Sequence, residues 1–351
     1  MFKKFSISFL CILLILLIGF GGLVYIVDPF NVYRADDDPT KIIYQNPYYQ
    51  NIGIAKNTKY DTLITGTSMT QNFRGWWFDE KFGCKAIRLS FDGGIVSDFD
   101  ALIKTAVENN EKLKTVYFGL DNYLITADSK LNDISERIPE YMLSDNPFLK
   151  VKYLLNKDVI FDYMLTYFAY KNSDSYDFYE MHAWDTMNPV FSKETVINNY
   201  KVPEQSKNLE DESFMSDCED FLDAVGKYAE CNPQIQFVFF APPYSILYWH
   251  TLIKEGKLDA TMHSLKYVYG ELLECKNVRI FYFQNDFEKI TNLENYKDAT
   301  HYRTDYNKYM LDCFVNGNME LTKKNYTAVL DEMKEFALSY DYETLFKEKV
   351  K

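Results

Sequence analysis

Ser68 stands in Gly66-Thr67-Ser68-Met69, directly after the short apolar run Thr62–Gly66. A serine at the end of a strand and the start of a helix presents its hydroxyl at the sheet edge and its N–H at a helix N-terminus. Those two groups suit a nucleophile and an oxyanion donor. The other reading is a plain N-cap, a role that Ser and Thr fill routinely. Far downstream, Asp298-Ala299-Thr300-His301 places a carboxylate three residues before one of only four histidines. On a short turn that spacing sets the carboxylate on one imidazole nitrogen and leaves the other free as a base, the orientation a Ser-His-Asp triad requires. Read alone, the pair is also a common surface arrangement. Gly93-Gly94 lets backbone N–H groups approach a reacting oxygen, or simply makes a tight turn. Asn122 offers a side-chain donor, or an Asx turn. His182, in Met181-His182-Ala183-Trp184-Asp185, reads as a groove-lining or structural histidine. His250 and His263 have no carboxylate at triad-like spacing in the right part of the sheet.

These residues fall at the ends of predicted strands. Thr62–Gly66, Lys85–Ser90, Thr115–Leu120, Gln234–Pro242 and Val278–Phe283 are short, largely apolar runs. Between or after them, Asp98–Asn109, Thr261–Cys275, Tyr306–Val315 and Tyr326–Tyr340 have helical spacing. Strands alternating with helices indicate βαβ units and a parallel sheet, and unbroken apolar strands indicate a sheet covered on both faces. In such sheets chemistry sits at the carboxyl ends of the strands, near a topological switch point. Ser68, Gly93, Asn122 and the Asp298–His301 loop all follow strands. The stretch 123–232 breaks the rhythm. It is Tyr-rich and mainly helical in pattern, and reads as an insertion whose last helix, Glu212–Cys231, returns to the sheet.

The N-terminus sets the compartment. Lys3-Lys4 precede an uncharged run from Phe5 to Val27, and Asp28 and Asp36-Asp37-Asp38 follow it. About 20 apolar residues span a bilayer as a helix. The charge asymmetry predicts a cytoplasmic N-terminus and an extracytoplasmic remainder. A cleaved signal peptide would have a shorter apolar region and a small-x-small site; Val24-Tyr25-Ile26-Val27-Asp28 favours an uncleaved anchor. Residues 1–27 are therefore expected as the cytoplasmic tip and anchor. Residues 28–58, rich in Asn, Asp, Tyr and Pro, are expected as a stalk, and 59–351 as the domain.

The 351 residues hold 38 basic and 51 acidic side chains, a net charge of −13 that argues against a nucleic-acid partner. Five of the six cysteines follow the anchor, an odd count at spacings that make neither a complete disulfide framework nor a CxxC site. They read as isolated buried thiols. HExxH, Walker and soluble GxGxxG patterns are missing, so no metal or cofactor is implied. The GxSxG elbow of standard α/β-hydrolases is missing too.

A Ser after the first strand, a Gly after the second, an Asx pair after the third and a DxxH near the end follow the block order of the SGNH/GDSL hydrolases, which this chain resembles across roughly residues 59–316. The N-terminal anchor, Gly66–Thr70, Pro242–Ser245 and Asp298–Tyr302 are similar to the membrane-anchored branch of Gram-positive bacteria. That branch includes the DltD proteins of lipoteichoic acid D-alanylation and related exopolysaccharide O-acyl-transfer proteins. The resemblance implies a three-layer α/β/α sandwich around a central, mostly parallel, flavodoxin-like sheet. It also implies Ser68 as nucleophile, His301 as base, Asp298 as its orienter, and the N–H groups of Ser68 and Gly93 in an oxyanion hole. Where the superfamily often carries Gly-x-Asn-Asp, this chain reads Gly119-Leu120-Asp121-Asn122. A displacement by one residue turns a side chain to the other side of an extended backbone. Asn122 is thus the weakest member of the hole, and Asp121 reads as structural.

The function these readings imply is a membrane-anchored serine esterase or acyltransferase acting on acyl groups of cell-envelope or exopolysaccharide polymers. Its partners would be a polysaccharide or teichoic-acid-like acceptor and a polytopic membrane O-acyltransferase. The alternative is a non-catalytic SGNH-like partner of such a membrane enzyme or polymer.

Overall fold

Short β-branched and aromatic runs make the strands β1 (Thr62–Thr65), β2 (Ala86–Arg88), β3 (Thr115–Gly119), β4 (Gln236–Ala241), β5 (Val278–Tyr282) and β6 (Glu320–Leu321). The computed structural model describes residues 2–34, 42–126, 137–173 and 176–347. The strands form one sheet in the order β2-β1-β3-β4-β5-β6. The first five are parallel, with Thr62 of β1 level with both Ala86 and Thr115. The two-residue β6 joins antiparallel to β5 at the edge.

The core is strongly aromatic, and the alternation of side chains along β3 sorts the helices. The Tyr117 ring meets Phe78 and Phe314, from helices Gly75–Phe82 and Thr304–Asn316. Its successor Phe118 meets Phe99 and Phe221, from helices Val96–Asn109 and Met215–Phe221. Successive strand residues point to opposite faces, so helices lie against both.

The chain passes from β1 outward to β2 and then back to β3 on the other side of β1. This reversal is a topological switch point between β1 and β3, and in open α/β sheets ligands bind at the carboxyl ends of the strands at such a point.

Helix Phe2–Val27 is long and apolar enough to cross a membrane, and side chains such as Ile15 and Ile18 point outward, 68% and 65% exposed. Residues 28–34 and 42–58, expected as part of a stalk, pack into the core, with Phe30, Ile42 and Tyr44 buried. The Asp28 carboxylate accepts from the amides of Val32, Tyr33 and Arg34 and from the Tyr153 hydroxyl, at 2.8–3.0 Å. Helix Pro47–Asn57, capped by Asn46 and opened by Pro47, buries Ile52, Ile54 and Ala55. Gly53 abuts the chain so closely that a Cβ would lie 2.2 Å from the Phe30 carbonyl. Polar side chains of the segment expected as a stalk supply buried bonds. Gln50, fully buried, donates to the carbonyls of Pro29 and Ile43.

Among the described residues, the segment between β3 and β4 is mainly helical. It includes Pro147–Leu154, Met164–Tyr170 and Lys193–Asn199, and it ends in Met215–Phe221 and Lys227–Cys231 joined by a π-helical turn, Leu222–Gly226. That last stretch lies on the sheet, with Phe221 against Phe118 and Phe239.

Candidate active site

β1 ends at Thr65, and Gly66 turns the chain with φ +144°. A Cβ there would lie 2.7 Å from Thr70 Cγ2 and 3.1 Å from the Gly119 backbone, so only glycine fits. A single 3₁₀ turn, Ser68–Thr70, follows. Its N-cap is Thr67, whose hydroxyl accepts from the Met69 amide at 3.3 Å. The capping role thus belongs to Thr67, and the Ser68 hydroxyl lies 2.9 Å from His301 Nε2.

His301 is held by its own loop. An antiparallel bridge between Tyr296 and Tyr302 closes the ends, and the Lys297 amide donates to the His301 carbonyl at 3.0 Å. Within the loop, Asp298 Oδ2 lies 2.8 Å from His301 Nδ1. Asp298 Oδ1 accepts from the amides of His301 and Thr300 at 2.8 and 2.9 Å. Burial pushes the Asp298 carboxyl up, but the His301 imidazole and these amides outweigh it and hold the group down at about 2. The carboxylate is therefore ionised at neutral pH. It keeps the proton on Nδ1 and leaves Nε2 to accept from Ser68.

Pro242-Pro243-Tyr244-Ser245, at the end of β4, binds both halves of the site. Ser245 donates from its amide and hydroxyl to the Ala299 carbonyl, at 3.1 and 2.7 Å, and the Pro243 carbonyl accepts from Tyr296. The Tyr244 hydroxyl donates to Asp121. From the His301 side, Tyr302 and Asn307 donate to the Met69 carbonyl at 3.2 and 3.3 Å, anchoring the serine turn to the histidine loop.

Asp121 follows β3, next to β1 at the switch point. Fully buried, it accepts from Thr67 on one oxygen and from Tyr244 on the other. Burial raises its pKa to about 6 against the opposing pull of the two hydroxyl bonds and His301. It holds the third position of Gly119-Leu120-Asp121-Asn122. The Asn122 amide, expected as the weakest member of the oxyanion hole, is buried and paired reciprocally with Gln284 at 3.2 and 3.3 Å. Gly93 lies in the turn after β2 with φ +56°, and its carbonyl accepts from Arg137 at 3.0 Å. That turn abuts the serine turn through Phe91 N–Gly66 O at 2.9 Å and the Ser90–Thr70 hydroxyl pair at 2.7 Å.

Trp184 is a site residue that sequence patterns missed. Its Nε1 donates to the Ser68 carbonyl at 2.9 Å, and its ring stands edge-on to His301 at 5.4 Å. The signal was there, since the stretch around His182 stood out, but a different residue of it reaches the serine. His182 itself takes φ +57°, bonds the Gln45 carbonyl and is pushed down by burial. Asp185 pairs with Arg74 at 3.0 Å and accepts from Thr304, and Arg74 also pairs with Glu180 at 2.8 Å. These bonds fix the insertion over the site. His250 is a packing residue, bonded to Tyr200 and lowered to about 4 by burial and Lys254.

Comparison with protein-family models, curated proteins and solved structures finds no match.

Proposed function

We propose that this chain is a membrane-anchored serine esterase or acyltransferase of the SGNH type, working through an acyl-serine. The observation that carries the reading is the relay Ser68–His301–Asp298, with links of 2.9 and 2.8 Å. Support for the SGNH assignment is the block order together with the placement of these residues at the carboxyl ends of a 2-1-3-4-5 parallel sheet. A three-layer α/β/α sandwich is the architecture this reading implies.

In the reaction, Ser68 Oγ attacks the ester or thioester carbonyl and passes its proton to His301 Nε2. The imidazolium is stabilised by Asp298. The tetrahedral adduct collapses, and the leaving alcohol or thiol takes the proton from His301. Water or a polymer hydroxyl then attacks the acyl-serine, gives its proton to His301, and releases the acid or the transferred ester with Ser68 restored. Hydrolysis and transfer differ only in which acceptor arrives.

The charge order around helix Phe2–Val27 favours an extracytoplasmic site, and hence acyl groups of cell-envelope or exopolysaccharide polymers, with a polytopic membrane O-acyltransferase as a partner. A second reading, a non-catalytic SGNH-like partner of such an enzyme or polymer, is favoured by one observation. Asp121, an acceptor-only group when ionised, stands where the superfamily has an amide donor, and Asn122 is occupied by Gln284. Turnover of an activated aryl ester by the full-length chain tests the first reading. Activity that falls to background in Ser68→Ala supports it; no activity in the folded wild type supports the second.

A further inference from the structure

The insertion carries a surface that the proposed chemistry does not use. Helix Pro147–Leu154 and the adjoining Leu155 expose Phe148, Val151 and Leu155, spaced i, i+3, i+7. The π-helical turn Val159–Tyr163 and helix Met164–Tyr170 expose Phe161, Leu165 and Phe168, spaced i, i+4, i+7. Each set lies along one helix face. Phe148, Leu165 and Phe161 are 84%, 66% and 59% exposed. Large apolar side chains clustered in this way mark an interaction site.

We propose that this helical pair lies in the outer interface of the phospholipid bilayer, as a second membrane contact beside helix Phe2–Val27. The proposal rests on the reading that this helix spans the membrane. Three observations identify lipid as the occupant. First, the apolar surface is continuous with the spanning helix. The Phe20 and Phe161 rings are 6.4 Å apart, and a Cβ on Gly21 would lie 3.4 Å from Leu155 Cδ2 and 3.7 Å from Leu154 Cβ.

Second, the depth agrees. Gly21 follows the first apolar residue, Phe5, by about 24 Å of helix, against a hydrocarbon core about 30 Å thick. Groups level with Gly21 therefore meet the outer end of the acyl chains. The relation is held rigid by Asp28, which accepts from Tyr153 of helix Pro147–Leu154 at 3.0 Å while closing the turn that leaves the spanning helix.

Third, the charge suits a lipid surface. Residues 147–171 hold four lysines (Lys150, Lys152, Lys157, Lys171) and two aspartates in a chain of net charge −13. A basic rim around an apolar face is the pattern of interfacial helices on anionic lipids. The domain would then sit flush on the bilayer.

The test uses the full-length chain in phosphatidylcholine–phosphatidylglycerol vesicles, with part of the lipid brominated at a shallow chain position. Leu165→Trp places a reporter on the face, and Leu338→Trp places one on helix Tyr326–Ser339, at a residue 57% exposed. After subtraction of wild-type emission, the Leu165→Trp signal should be quenched at least twofold and the Leu338→Trp signal should be unchanged. An unquenched Leu165→Trp signal in protein that floats with the vesicles overturns the proposal. Cross-linked dimers through this face would then name a second copy as the occupant. Protein that fails to float after an alkaline wash removes the spanning reading, and the proposal with it.

Discussion

Ser68 Oγ and His301 Nε2 lie 2.9 Å apart although 233 residues separate them in the chain. Neither is placed by its own element alone. Tyr302 and Asn307 reach back to the Met69 carbonyl, and Ser245 holds Ala299, so the serine turn and the histidine loop are bonded into one unit.

Asp298 orients His301 from the same loop. Asp298→Asn keeps the shape but removes the charge that keeps the proton on Nδ1. Ester turnover should fall by roughly 10³–10⁴-fold, the scale of such a change in a serine triad. The variant should also lose an acid-side stability slope. A carboxyl held at about 2 adds stability that is present above its ordinary 3.8 and is lost as pH falls toward 2. Thermal melts between pH 2 and 5 read this directly.

Asn122 separates an oxyanion donor from a packing residue. Asn122→Ala leaves the buried Gln284 amide without its partner and should cost about 1–3 kcal/mol in denaturant unfolding. Its kcat should stay within about twofold of wild type. A fall of 10²–10³-fold, the loss seen when an oxyanion donor is removed, would place Asn122 in the hole after all.

Trp184 holds the Ser68 backbone from the insertion. Trp184→Phe retains a ring beside His301 but loses the bond to the Ser68 carbonyl. One neutral hydrogen bond is worth about 0.5–1.5 kcal/mol, so kcat should fall about 2- to 10-fold with the melting temperature little changed.

Asp121 gives the site a pH signature. Its carboxyl is at about 6 in the fold against an ordinary 3.8, so the folded chain binds the extra proton between those values. Its contribution to stability is full below about pH 4, declines as pH rises through 6, and is then constant. Asp121→Asn removes that decline. The variant should gain up to roughly 3 kcal/mol on wild type between pH 4 and 7.5, read as a widening difference in unfolding midpoint.

The residues of the relay were legible because Ser68 directly follows an apolar run, and because Asp298 and His301 are three residues apart. Local spacing sufficed where local geometry decides. Trp184 and Asp121 were not legible as site residues, since their contacts with Ser68 and Thr67 depend on how the insertion folds back and on which side of β3 a side chain leaves. Arg88 shows the same limit. It lies in β2, read as a buried apolar run, yet it is buried at 1% exposure because its guanidinium donates to the carbonyls of Gln71, Phe73, Tyr179 and Met181. The supposed stalk was misread for a related reason. Polar side chains look solvated in a sequence until their carbonyl partners, 7 and 21 residues away for Gln50, are in place.

The proposed function stands on Ser68 as an activated nucleophile, and reaction of the full-length chain with a fluorophosphonate, read by intact mass beside Ser68→Ala and His301→Ala, tests it. The wild type should take a single adduct, absent in Ser68→Ala and slowed by at least 10²-fold in His301→Ala. An adduct that persists in Ser68→Ala, or a folded wild type that takes no label, would rule Ser68 out as that nucleophile.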